Sequence, residues 1–191
     1  DYRGPNPYFW AAFDEVTRHG ATVHYIDAGE DTGDILDQCL FDLPPHLRLV
    51  DWQARTLKAG TRLLLKVTRE IELGTTTVST QPSVSPTRRA RRIEPEEVMS
   101  TLAWEDWSLA RLRSFVCRAG PWVRMPDKAG QKQCLGHFVI TGQTHKTRGQ
   151  VSEAKLIGGP LRFTLRHPAG DLFLRPTARF FLHKIRNRLR P

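Results

Sequence analysis

The chain predicts an α/β portion followed by a small β-rich barrel, and three observations carry that prediction. Two β-like runs, 21–26 and 34–43, lie between an aromatic helical stretch and a long segment of helical periodicity. Beyond residue 121, short β-like runs are separated by Gly and Pro at regular intervals, the pattern of a small barrel or sandwich. Between the two, TTTVSTQPSVSPTRRARR (75–92) accumulates Thr, Ser and Pro as linkers do.

Taken in order, Asn6-Pro7 is a cap and first-turn pair, and YFWAAF behind it reads as a short buried helix ending before His19-Gly20. ATVHYI and DILDQCLFDL read as strands from their Val, Tyr, Ile and Phe content. From Val50 to Leu73, Val50, Ala54, Leu57, Leu64, Val67 and Ile71 recur at helical spacing and Gly74 supplies the stop, so a long helix with a sheet beneath it is expected. A second helix is expected over about 106–119, with Leu109, Leu112, Val116 and Ala119 on one face, Arg111, Arg113 and Arg118 elsewhere, and Gly120-Pro121 as its end. The runs CLGHFVITG, QVSEAKLIG, PLRFTLR and DLFLRP follow, and the aromatic, basic RFFLHKIRNRLRP closes the chain as a short helix or an arm.

Hydrophobic residues at 39% and charged residues at 26% of 191 describe an ordinary folding chain of one domain or two small ones. No apolar run reaches the roughly 18 residues of a membrane span, and no basic-then-apolar signal segment opens the chain. Cys39, Cys117 and Cys134 are widely spaced within apolar runs, which points to inert thiols, a reducing cytoplasmic compartment and neither a disulfide framework nor a zinc knuckle. Charge is asymmetric: residues 1–85 carry 12 acids against 8 Lys/Arg, and residues 86–191 carry 8 against 21. Two functional halves are expected, with the seam at 85/86. Arg88, Arg89, Arg91 and Arg92 are either solvated linker surface or a site for a phosphate-bearing partner.

Within the acidic half, HYIDAGEDTGDIL (24–36) crowds Asp27, Glu30, Asp31 and Asp34, with Asp37 adjoining, around Gly29 and Gly33. A solvated turn explains such a loop, and so does a reaction centre. The seven histidines form no H-E-x-x-H, and neither a G-x-S-x-G elbow nor a phosphate loop ending in Lys-Ser/Thr is present.

YRGPNPYFW (2–10), ATVHYIDAGEDTGDIL (21–36) with its His seven residues before the Asp, and the long helix after them together resemble the second half of the catalytic domain of the folate-dependent formyltransferases. That family includes methionyl-tRNA formyltransferase, the nucleotide-sugar N-formyltransferases and glycinamide ribonucleotide formyltransferase. LAWEDWSLARLRSFVCRAGPW (102–122) is similar to the helix that opens the C-terminal domain of the methionyl-tRNA enzymes, and the strands beyond it resemble that domain's small barrel of oligonucleotide-binding type. The resemblance implies that residues 1–85 are the C-terminal portion of a Rossmann-like catalytic domain. Residues 86–191 would then be a basic C-terminal domain: linker and helix over 86–122, barrel over 131–176, basic tail over 177–191.

The resemblance further implies transfer of a formyl group from formyl-tetrahydrofolate to a primary amine, as part of one-carbon metabolism and, for a tRNA acceptor, of protein biosynthesis, with no metal. Charge develops on the formyl oxygen during attack, and a proton must leave the amine. The family uses an Asn and a His at the oxygen and an Asp to set the histidine's charge, and by position in DTGDIL that Asp is Asp31. A carboxylate beside an imidazole favours the hydrogen-bond-donating imidazolium. His24, Ile26, Asp27, Ala28, Gly29 and Glu30 would line the pteridine. Arg3 would brace the loop or meet the acceptor, and Arg88, Arg89, Arg91 and Arg92 would meet the acceptor. Asp34 and Asp37 read as structural or solvated.

The family's N-x-H-x-S-x-L-P segment lies upstream of the position matching Asp1 and is not among these 191 residues. Asp1 is not a methionine and DYRGPNP is a mid-domain kind of sequence, so a fragment is expected, inactive alone, with apolar surface on the long helix promoting self-association. The basic second half favours initiator methionyl-tRNA as acceptor. RGPNPYFW and VHYID look more like the sugar-modifying members, which leaves a nucleotide-linked amino sugar as the alternative, and a purely RNA-binding basic module without chemistry as a third reading. Of Phe138, Phe163, Phe173, Phe180 and Phe181, most read as core rather than as base-stacking rings.

Overall fold

A computed structural model of the chain describes residues 1–127, 129–145, 151–159 and 161–188. It divides into two compact units, Asp1–Arg92 and Ile93–Pro191. The division falls later than the expected 85/86 seam because the segment 87–92 folds back onto the amino-terminal turn. Ala90 N–H donates to the Arg3 carbonyl at 2.8 Å, Asn6 N–H to the Ala90 carbonyl at 2.9 Å, and Tyr2 N–H to Thr87 Oγ1 at 2.6 Å.

The first unit opens with α1 (Pro7–Phe13), which Pro7 starts with its fixed φ. Phe9, Trp10, Ala11 and Ala12 are buried. Strands β1 (Arg18–His24) and β2 (Ile35–Asp42) pair antiparallel, Arg18 opposite Asp42 and His24 opposite Ile35, with a register shift at Val23/His24. β1 therefore begins before the expected Ala21 and releases Tyr25 and Ile26 into the acidic loop. Helix α2 (Leu49–Glu72) lies against both strands.

Of the expected stripe on α2 only Val67 is buried. Trp52, Leu63 and Val67 point inward, whereas Val50 is 60% and Leu57 73% exposed, and Leu64 and Ile71 are exposed with them. Both sets share helical spacing, so periodicity alone left the phase of the helix open. Trp52 decides it by docking under Tyr8 and His19, with ring centroids 4.9 and 4.8 Å away. Burial there pulls the His19 imidazole down to about 4 from an ordinary 6.5.

In the second unit, α3 (Val98–Leu102), unforeseen in the sequence, precedes a 3₁₀ turn at Trp104–Asp106 and α4 (Leu109–Ala119). The expected 106–119 helix starts late because Ser108 caps it, Oγ accepting from Arg111 N–H at 3.2 Å. Leu109, Leu112, Val116 and Ala119 are buried as their spacing required, and Arg118, expected outside, is buried too.

A hairpin of β3 (Arg124–Pro126) and β4 (Lys132–Cys134) follows. Strands β5 (Phe138–Thr144), β6 (Lys155–Gly159), β7 (Arg162–His167) and β8 (Gly170–Pro176) form an antiparallel sheet in the order β5-β8-β7-β6. Among the described residues this sheet is open, and no ladder closes it into the expected barrel. Gln150 and Pro160, which open two of the expected strands, lie outside the described residues, as does 189–191 of the basic tail. The rest of the tail forms α5 (Ala178–Arg188), the helix of the two alternatives. Phe163 and Phe180 are core, and Phe173 and Phe181 are exposed.

Candidate active site

The loop between β1 and β2 brings the acids of 24–36 to one end of the hairpin, beside the amino-terminal turn. Asp31 sits in left-handed backbone, φ 54°, and its Oδ2 accepts the Gly4 N–H at 3.0 Å. His24 Nε2 lies 3.9 Å from Asp31 Oδ1. The other ring nitrogen, Nδ1, is 2.7 Å from the Tyr25 carbonyl. A carbonyl only accepts, so Nδ1 carries a proton and Nε2 is the atom turned to the carboxylate. Asp31 is thus tethered by one oxygen to the chain's amino-terminal turn and keeps the other beside an imidazole.

Asp27 shapes the rest of the loop. Its Oδ1 accepts the Gly29 N–H at 3.1 Å and the Thr32 hydroxyl at 2.7 Å. The Thr32 hydrogen bond holds the Asp27 carboxyl below the usual carboxylate range. Gly33 passes so close to the Tyr25 carbonyl that a Cβ would collide with it. Ile26 protrudes 95% exposed. Among the described residues, the main-chain groups of Ile26 and Ala28 make no hydrogen bond. Among the described residues no three His, Cys, Asp or Glu converge as metal ligands.

The arginines expected at the acceptor divide by role. Arg3 donates to Gln81 Oε1 at 2.9 Å and to the Pro82 carbonyl at 2.8 Å, while Gln81 in turn donates to the Gly33 carbonyl. Arg3 therefore braces the loop through Gln81. Arg88 pairs with Asp14 at 2.9 Å and stacks on Trp10 and Phe13, its guanidinium carbon 5.2 and 5.0 Å from the ring centroids. The Arg91 guanidinium also lies over Trp10, its carbon 5.5 Å from the ring centroid, and the Trp10 indole N–H donates to the Arg91 carbonyl at 2.7 Å. Arg89 pairs with Glu30, and Arg92 gives its carbonyl to the Arg91 guanidinium. Asp37 pairs with Lys66 at 2.7 Å, whose hydrogen bond lowers the Asp37 pKa, and the Asp34 main-chain carbonyl accepts Tyr25 N–H at 2.9 Å. The roles of Gln81, Thr32 and Gly4 were not foreseen. Their partners lie 5 to 78 positions away in the chain, most of them too far for a local pattern to encode.

No family model matches the chain. It is 25% identical over 186 residues to a methionyl-tRNA formyltransferase of Chlamydia muridarum, covering 91% of this chain and 58% of that protein. It is 38% identical over 74 residues to the methionyl-tRNA formyltransferase of Solibacter usitatus, covering 39% of this chain and 24% of that one. Among solved structures, an N-formyltransferase from Helicobacter canadensis, in complex with folinic acid and dTDP-3-aminofucose, superposes with a TM-score of 0.63 at 17% identity, covering 92% of this chain and 62% of that one. HypX from Aquifex aeolicus gives 0.61 at 17%, covering 90% and 30%. The fold is thus the one shared by N-formyltransferases. In sequence and fold the chain is similar to the folate-dependent formyltransferases, and it spans little more than half the length of the Chlamydia relative it matches.

Proposed function

We propose that the first unit supplies Asp31 and one wall of the folate cleft to a formyl-transfer centre, with methionyl-tRNA as acceptor. The observation that carries the reading is the position of Asp31, anchored to Gly4 with its second oxygen toward His24. By the family resemblance, Asn and His come from sequence outside these 191 residues. Asp31 would hold that imidazole in its donating form while the acceptor nitrogen bonds to the formyl carbon. The carbon's bond to the folate nitrogen then breaks, and the acceptor's proton leaves through ordered water to the released folate. The loop from Ile26 to Glu30 would present its free backbone groups to the pteridine. Arg3, Arg88 and Arg91 serve as braces in this reading, and Arg89 and Arg92 remain on the acceptor side.

The acceptor assignment rests on the curated relatives and on the basic second unit, which has 17 Lys/Arg against 8 acids over 93–191. A nucleotide-linked amino sugar is the second reading, favoured by the solved relative crystallised with dTDP-3-aminofucose. Sequencing the coding DNA 5′ of Asp1 is the first test. An in-frame Asn-x-His segment supports the proposal, and a start codon directly before Asp1 sinks it. In the extended protein, Asp31→Asn is expected to lower kcat about 10²–10⁴-fold. Formylation of methionyl-tRNA but not of an amino-sugar nucleotide decides between acceptors.

A further inference from the structure

The segment 75–92, linker-like in composition, runs past the Asp31 loop and adds a side chain to it. Ser79 and Ile35 exchange both main-chain hydrogen bonds at 2.8 Å, which lays the segment along the start of β2. Two residues on, half-buried Gln81 stands between Arg3 and Gly33. Its Oε1 accepts from Arg3 Nη2 at 2.9 Å, and its Nε2 donates to the Gly33 carbonyl. A guanidinium only donates and a carbonyl only accepts, so the two contacts together need an amide and fix which way it points. From Gly33 the contacts run on, because the main chain there is packed tightly against the Tyr25 carbonyl. That carbonyl holds His24 Nδ1 at 2.7 Å, and His24 Nε2 faces Asp31 Oδ1 at 3.9 Å. Asp31 Oδ2 accepts from Gly4 N–H at 3.0 Å, and Gly4 adjoins Arg3. The contacts therefore close into a ring drawn from three stretches of chain: 3–4, 24–33 and Gln81.

We propose that Gln81 is a positioning residue for Asp31: it closes this ring and so keeps the carboxylate pointed with Oδ2 at Gly4 and Oδ1 at His24. The loop needs such support from outside itself. Asp31 sits at φ 54°, a left-handed backbone that costs a non-glycine residue energy. Asp27, Glu30 and Asp34 crowd around it with like charge. Arg3 also donates to the Pro82 carbonyl at 2.8 Å, so the amino-terminal turn stays tied to the segment without Gln81. What the Gln81 amide adds is the link from that turn to Gly33, and through Gly33 to the Tyr25 carbonyl and His24. Gln81 acts through these neighbours and makes no bond to the carboxylate itself. Its part in catalysis rests on the formyl-transfer reading, whereas the ring does not.

Amide exchange followed by NMR on the whole chain tests the ring without turnover. Gln81→Met keeps the length of the side chain and removes both its donor and its acceptor. The Gly4 and Tyr25 amides of that variant are expected to exchange about tenfold faster, while the amides of the β1–β2 ladder keep their rates. Gln81→Glu retains the acceptor for Arg3 but not the donor for Gly33, and it is expected to match Gln81→Met at Tyr25. In the extended protein, Gln81→Met is expected to lower kcat about 10–10²-fold with KM for folate and acceptor unchanged. An unchanged Gly4 rate would overturn the proposal. So would exchange raised equally along the ladder, which would make Gln81 a general support of the unit, and so would an unchanged kcat in an active protein. An extended wild type that transfers no formyl group would sink the formyl-transfer reading alone, and the Gly4 rate would still decide the ring.

Discussion

The two units solve the burial problem differently. Among the described residues, the first unit buries 10 hydrophobic side chains and leaves 11 large ones exposed, whereas the second buries 19 and exposes 4. The first has a thin core made by Trp10, Trp52, Leu63 and Val67 under one helix, with Val50, Leu57, Leu64 and Ile71 facing outward. The second is built around Trp104, Leu112, Phe115, Leu165 and Leu172, all essentially inaccessible. The contrast separates a unit that stands by its own core from one whose surface still asks for a cover, and it places the candidate chemistry in the latter. Sites assembled from loops on a lightly packed frame have the freedom to close on a ligand.

The largest effect should come from breaking the stronger core. Trp104→Ala removes a fully buried ring and is expected to cost about 3–5 kcal/mol, seen as a lowered urea midpoint of the second unit. Next is the pH response of the first unit. His19 is neutral when folded down to about 4, against an ordinary 6.5, because of its burial. Between those values the unfolded chain takes up a proton that the folded one refuses, so stability falls as pH drops from 6.5 to 4 and is level above 6.5. His19→Gln is expected to flatten that slope, a difference on the order of 1–2 kcal/mol at pH 4 after discounting for partial exposure.

Ser108→Ala should remove the cap of α4 at about 1 kcal/mol, measured by the same denaturation in the second unit. The smallest change in stability, within about 0.5 kcal/mol, is expected for Leu57→Gln with Leu64→Gln. Sedimentation velocity should nevertheless show less self-association for that double variant. An unchanged association constant would mean the exposed flank of α2 is not sticky, and the contrast between the units would lose its meaning.

Legibility followed the range of the interactions. Pro7, the Gly/Pro stops and the apolar spacing of α4 act within a turn, and the elements they mark stand where expected. The inward face of α2 was legible only at Val67, because Val50/Leu57/Leu64/Ile71 and Trp52/Leu63 both repeat helically and only the Tyr8-His19 pocket selects between them. The barrel was expected from turn spacing, which reports strand number and not closure. Asp31 and its loop were marked by DTGDIL, yet nothing local disclosed that Gly4 would tether the carboxylate or that Arg88 and Arg91 would be drawn onto Trp10.

By itself, the sequence determined the local vocabulary of this protein: where helices begin and end, which loop gathers acid, and which half carries positive charge. These depend on backbone preferences and composition, which a residue carries wherever it is placed. Tertiary structure alone decided which oxygen of Asp31 is tied down, which arginines are braces, and that Phe173 rather than Phe163 meets solvent. Those outcomes turn on contacts between segments distant in the chain, and their energies exist only once the fold has brought the partners within a few ångströms.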